Sequence, residues 1–136
     1  MLLSRKGVLA IAAVIDVALH SRNRPVSAKA LAGRHGLPPR HLEPVLQALV
    51  HQGILRGVRG PRGGYELGRE QRHISAEEIL RAAGTVAEKT DPQLPGTALV
   101  RAVVLPALAQ AERAFAAALS EISIDGLARR AESART

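Results

Sequence analysis

Two short helix-forming segments meet at a glycine, and a basic, glycine-rich hairpin comes directly after them with no linker between. This run, residues 26–67, most narrows the folds open to the chain. Ser27 has the form of a helix N-cap, and Val26 before it can meet Leu31 in a hydrophobic staple. Gly36 suits the left-handed position that closes a helix. Pro39 can open the next helix, where no backbone donor is needed. Leu42, Val45, Leu46, Leu49 and Val50 recur at helical spacing as a buried stripe, with Arg40, His41, Glu43, Gln47 and His51 mostly outside it. Pro44 lies inside this helix, removes one backbone hydrogen bond and predicts a slight bend. Gly53 ends it. Two short helices with a tight glycine turn and an outward polar second helix form the helix-turn-helix pattern, which any helical hairpin in a bundle can share.

The segment after Gly53 sharpens that reading. Ile54-Leu55-Arg56-Gly57-Val58 has the pattern of a strand, and Tyr65-Glu66-Leu67 that of its returning partner. Between them, Arg59-Gly60-Pro61-Arg62-Gly63-Gly64 is a turn. A basic hairpin directly after a helix-turn-helix is a wing, whose arginines can reach phosphates or a narrow minor groove.

The flanking regions are helical. Residues 5–20, with Ser4 as N-cap, place Val8, Ile11, Ala12, Ile15, Ala18 and Leu19 on one apolar stripe. Ser75-Ala76-Glu77-Glu78 is a capping box, with Ile74 and Ile79 as a second staple and Gly84 as the stop. Residues 85–96 form a polar loop with two prolines. A long helix is predicted over residues 98–121, with Val104, Leu108, Ala111, Phe115, Leu119 and Ile122 at helical spacing, and Pro106 kinking it or delaying its start. Its broad, alanine-rich apolar side points to a dimer contact; the alternative is packing back on its own domain. Ser123 can cap a last short helix through Leu127, and residues 129–136 are expected to fray. The fold class is mainly α with a small β-hairpin: a winged helix-turn-helix domain (1–84), a loop (85–97), and a dimerisation helix with a tail (98–136).

Composition removes several functions. Hydrophobic residues are 46% of the chain, yet there is one tyrosine and one phenylalanine, so the core is built from Ala, Leu, Val and Ile. That leaves little for a base-stacking RNA platform. The chain has no cysteine, which excludes disulfides, thiolate-ligated zinc and cysteine-held iron–sulfur clusters. His20, His35, His41, His51 and His73 form no short ligand pair, and no phosphate loop precedes a helix, so an enzyme is not expected. No run of about 18 apolar residues is seen, and no membrane span is expected. Asp16 and His20 interrupt the N-terminal apolar segment, so a secretion signal is not expected either. The net charge of +7 is unevenly placed: through His73 there are twelve Lys/Arg against four Asp/Glu, and from Ile74 onward seven against eight. The basic half suits a polyanion.

These residues resemble the family of winged-helix repressors that includes the iron–sulfur regulator IscR and the nitric-oxide sensor NsrR. The likeness runs from Leu3-Ser4-Arg5-Lys6-Gly7 through Gly36-Leu37-Pro38-Pro39-Arg40-His41-Leu42-Glu43 to Val58-Arg59-Gly60-Pro61-Arg62-Gly63-Gly64-Tyr65. It implies a homodimer on a pseudo-palindromic operator, with long helices crossing between protomers. It also implies Arg40 and Glu43 at base edges and Arg59 at the wing. Where Pro44 stands the family often has an amide; the proline ring can instead meet a thymine methyl. Arg62 stands where glycine is common. Cluster-bearing members carry three cysteines before the long helix, whereas residues 85–106 here hold neither cysteine nor histidine.

The expected function is sequence-specific, DNA-binding transcription regulation, as a repressor without a cluster. The alternative is a protein-interaction or effector-binding module with only nonspecific DNA affinity. Arg40 would contact a base or a phosphate, and Glu43 a cytosine amino group or Arg40. His41 is expected against the helix-turn-helix scaffold more than on DNA. Arg59 and Arg62 would contact DNA from the wing, and Ser4, Arg5, Lys6 and Lys29 could clamp phosphates. The expected partners are double-stranded DNA, a second copy of the chain and a small-molecule effector between the DNA-binding part and the long helix. No cofactor is expected, and the expected location is the cytoplasm.

Overall fold

The computed structural model describes residues 5–83 and 97–134. The order is α1 (Arg5–His20), α2 (Ala28–Arg34), α3 (Pro39–His51), β1 (Leu55–Val58), β2 (Gly64–Leu67), a 3-10 turn (Gln71–His73) and α4 (Ala76–Ala82). A π-helical turn (Val100–Val104) then leads into α5 (Leu105–Ser120), and α6 (Ile124–Ala134) closes the chain. The fold is mainly α with one two-stranded antiparallel hairpin.

Local signals set the helix ends. Ser27 Oγ accepts from the Ala30 N–H at 3.0 Å and starts α2. Gly36, at φ 64°, turns the chain through a backbone region that L side chains avoid, and Leu37 N–H donates back to Ala32 O at 3.0 Å. Pro39 opens α3, and the helix continues through Pro44 to His51. Ser75 Oγ accepts from Glu78 N–H at 3.2 Å to start α4, while the Glu78 carboxylate is taken by Arg69 at 2.8 Å. Ser4, Gly84 and the 85–96 loop lie outside the described residues.

One core joins α1, α2, α3, the root of the hairpin, α4 and α6. Val14, Leu31, Leu46, Leu49, Ile79 and Ile124 are fully buried in it. The face of α1 that enters this core differs from the sequence expectation. Gly7, Ala10, Ala13, Val14, Asp16, Val17 and Ala18 are buried; of the expected stripe, Ala18 is in the core and Ile11 and Ile15 pack against its edge, whereas Val8 is 52% exposed. The helix is apolar nearly all round, so spacing alone left its rotation open. Asp16 belongs to the buried face because ion-pair partners satisfy it there.

β1 and β2 pair from Leu55↔Leu67 to Val58↔Gly64. The hairpin is fastened to the loop before α2 by two hydrogen bonds, Val26 N–H to Tyr65 O at 2.8 Å and Tyr65 N–H to Val26 O at 2.7 Å. Gly64 permits this approach: a Cβ there would stand 2.4 Å from the Val26 carbonyl oxygen, and its φ is 153°.

The C-terminal part needs one correction. The expected frayed tail is helical as far as Ala134. Ser123 Oγ accepts from Gly126 N–H at 3.0 Å, Ile124 N–H donates to Ile74 O at 2.8 Å, and Ile124 enters the main core. Tertiary packing thus extends a helix that local propensity ends early. Val100–Ser120 is long and apolar enough, at mean hydropathy 1.3, to cross a membrane by length and composition alone. No unbroken apolar run marks it in the sequence, because Arg101, Glu112 and Arg113 interrupt it. Among the described residues α5 is packed at its end, where Leu119 and Phe115 meet Ala76 and Leu80 of α4. Leu99, Val103 and Leu108 are 65%, 57% and 55% exposed.

Candidate nucleic-acid interface

The first turns of α3 carry four of the side chains singled out by sequence as DNA contacts, Arg40, His41, Glu43 and Pro44. Arg40, His41, Glu43, Pro44 and Gln47 are all exposed there. Arg40, His41 and Pro44 share a shallow, mostly apolar hollow of about 460 Å³ with Arg5 and Lys6 of α1. Packing thus brings the basic start of α1 beside the start of α3. The expectation that His41 packs on the scaffold is not met: its side chain is exposed on this face, because Leu42 and Val45 occupy the inward positions. Glu43 makes no ion pair with Arg40 or any other described residue.

A groove of about 450 Å³ separates α3 from the wing, lined by Gln47, Val50, Val58, Arg59 and Tyr65 among others. Gln47 Nε2 donates to the Tyr65 hydroxyl at 3.4 Å across it, a weak link between helix and wing. Arg59, Gly60, Pro61 and Arg62 are exposed at the wing's end. Lys29 is exposed on α2 and lines none of these hollows, and Ser4 lies outside the described residues.

Apart from Glu43, the acidic groups in this half are already engaged. Asp16 is held by Arg34 through both oxygens, with Nη2 at 2.6 Å from Oδ1 and Nε at 2.9 Å from Oδ2. His20 Nδ1 lies 3.1 Å from Oδ1. His35 Nε2 lies 3.2 Å from Oδ2 but off the line a hydrogen bond needs, so it acts as a charge neighbour only when protonated. Burial pushes the Asp16 carboxyl upward, but hydrogen bonds and charge from Arg34, with the two histidines, outweigh it and hold it below its ordinary 3.8. The Arg34 guanidinium is raised in turn, chiefly by its hydrogen bonds to Asp16. Glu66 pairs with Arg56 across the hairpin, and Glu70 with Arg72. Arg5, Lys6, Arg24, Lys29, Arg40, Arg59 and Arg62 therefore have no acidic partner among the described residues. Arg24 was not singled out by sequence; its only signal was its place in the basic break Arg22-Asn23-Arg24-Pro25.

A helix-turn-helix followed by a two-stranded wing, with its outward face cationic, defines a winged helix-turn-helix protein. The profile of the Rrf2 family, described as an iron-dependent transcriptional regulator, matches residues 3–130. The chain belongs to the Rrf2 family. It is 38% identical over 90 residues to the HTH-type transcriptional regulator IscR of Xenorhabdus nematophila, covering 66% of this chain and 55% of that one. The IscR of Photorhabdus laumondii is 37% identical over the same shares. The chain thus spans about half the length of the curated relatives it matches. Among solved structures it is similar to T. potens IscR (TM-score 0.77, 28% identity, 98% of this chain and 90% of that one). It is also similar to CymR, the global cysteine regulator of B. subtilis (TM-score 0.74, 25% identity, 94% and 96%). These relatives are named as regulators, which places the chain in a non-enzymatic family.

The family description names iron, and this chain's donors do not fit a thiolate-held iron site. It has no cysteine, and residues 85–106 have no histidine. Among the described residues no three His, Asp or Glu side chains are grouped to hold a metal.

Proposed function

We propose that the chain is a sequence-specific, DNA-binding transcription regulator that works as a homodimer on a pseudo-palindromic operator. The observation that carries this reading is the set of unpaired cations around α3 and the wing. Acids elsewhere in the basic half are neutralised by their own partners, so the excess positive charge is left for an outside polyanion.

The roles divide by position. The start of a recognition helix enters the major groove first. Arg40 reads a guanine edge, Glu43 accepts from a cytosine amino group, and His41 and Pro44 meet neighbouring base edges and methyls. Arg59 reaches the minor groove from the wing, with Arg62 beside it. Arg5 and Lys6, drawn next to Arg40 by packing, hold phosphate, as do Ser4 and Lys29. A second copy covers the exposed apolar face of Val103, Leu105 and Leu108. Glu112 and Arg113 in mid-helix argue for that cover over lipid, where the arginine alone would carry a cost of about 2.5–3.5 kcal/mol. The mode in this reading is repression, by a dimer that excludes other proteins from its operator, and the place is the cytoplasm, in keeping with the regulator family. A hollow of about 310 Å³ where the 3-10 turn and α4 meet Ser120 and Ser123 is the place for a small effector.

Selection from a random duplex library with purified protein at near-physiological salt tests this reading. Enrichment of an inverted repeat is expected. Binding that salt erases and that shows no sequence preference would replace it with a protein-interaction module on the same fold.

A further inference from the structure

We propose that Arg24 and Arg62 together hold one phosphate group, in a hollow between the end of the wing and the start of α2. The hollow is about 450 Å³, and its lining includes Arg24, Arg34, Arg62, His20, Ser27 and Pro61. No acidic side chain is among its lining residues. Arg34 is committed to Asp16. Arg24 and Arg62 are exposed and have no acidic partner among the described residues. Two guanidinium groups facing one hollow repel each other until an anion lies between them, and arginine forks match phosphate oxygens.

The backbone holds the wing against this loop. Val26 and Tyr65 form an antiparallel bridge through two hydrogen bonds, which fastens the wing's end to the segment before α2. Arg24 and Arg62 leave that bridge in opposite directions, and the turns at Pro25 and Gly63, which also line the hollow, leave both arginines on it. Gly64 makes that approach sterically open. The Ser27 hydroxyl, which accepts from Ala30 N–H, keeps its own hydrogen to donate toward the hollow. The phosphate is one of the DNA backbone or that of a free phosphate-bearing anion; the first source rests on the proposed function above.

The test uses the full chain with Arg24→Ala, Arg62→Ala, both together, and Arg130→Ala on the exposed side of α6 as a control. Affinity is measured across salt concentrations on the selected duplex and on a scrambled one, beside a titration with inorganic pyrophosphate followed by NMR. If the source is DNA, each single variant lowers the salt slope by about one or less, with equal fold-loss on both duplexes. The double variant then loses less than the product of the singles. If the source is a free anion, pyrophosphate shifts the parent saturably and neither single variant responds. Parent-like slopes with no arginine-dependent pyrophosphate response overturn the proposal. Strictly multiplicative losses overturn it too, since they mean two separate phosphates. If the parent binds no duplex, the DNA reading fails on its own, and the pyrophosphate titration alone decides the site.

Discussion

Asp16 is the only buried charged residue among those described, 7% exposed, and it ties α1 to the end of α2. Its folded carboxyl lies below the ordinary value, so the unfolded chain binds its proton first as pH falls. The contribution of this group is present above 3.8 and is lost as pH drops through the lower folded value. Asp16→Asn leaves Arg34 without its counter-charge. Arg34 is 39% exposed, so water softens the loss, and a destabilisation of about 1–3 kcal/mol is expected. Urea unfolding at pH 7 and at pH 3 checks both points: the gap between parent and variant narrows on acidification. A gap that stays constant or widens would show that the carboxylate is not the source.

Arg40 belongs to the same scale. Its exposed place in the first turn of α3 leaves it free to enter a groove. Arg40→Ala is expected to relax base preference at one position per half-site, at a cost of about 1–3 kcal/mol on the preferred sequence. An unaltered motif from repeated site selection would reduce Arg40 to a phosphate contact.

At the scale of elements, the wing depends on one close approach. Gly64→Ala adds a methyl carbon against the Val26 carbonyl and forces an L residue to a φ of 153°. The backbone strain alone costs about 1–3 kcal/mol. Faster amide exchange at Val26 and Tyr65, with α3 protected as in the parent, is the expected signature. Much of each element was legible in the sequence. Ser27, Gly36, Pro39 and Ser75 act within three or four residues of themselves, so the ends of α2, α3 and α4 come from local chemistry. The rotation of α1 was not legible, because an almost wholly apolar helix has no polar face to fix its phase. Nor was the length of α6, which depends on Ile124 reaching the core beneath Ile74.

At the scale of the molecule, a helix of this length with so much exposed apolar surface asks for a partner. Leu108→Glu, placed where the side chain is already 55% exposed, should leave the monomer folded. The parent is expected at twice the chain mass of 14.4 kDa by light scattering, and the variant at that mass itself, with operator binding lost. A variant that stays dimeric would move the dimer contact off α5.

The sequence by itself determined the helix-turn-helix, the wing, the absence of any thiolate site and the gathering of positive charge in the first half. Those properties reside in turn residues, in spacing and in side-chain chemistry, which act locally or by simple count. Only the tertiary structure decided that Asp16 is buried and paired, that α6 returns to the core and that Arg24 and Arg62 line one hollow. Each of these joins segments far apart in the chain, and such adjacency is set by packing around a shared core, which no local pattern encodes.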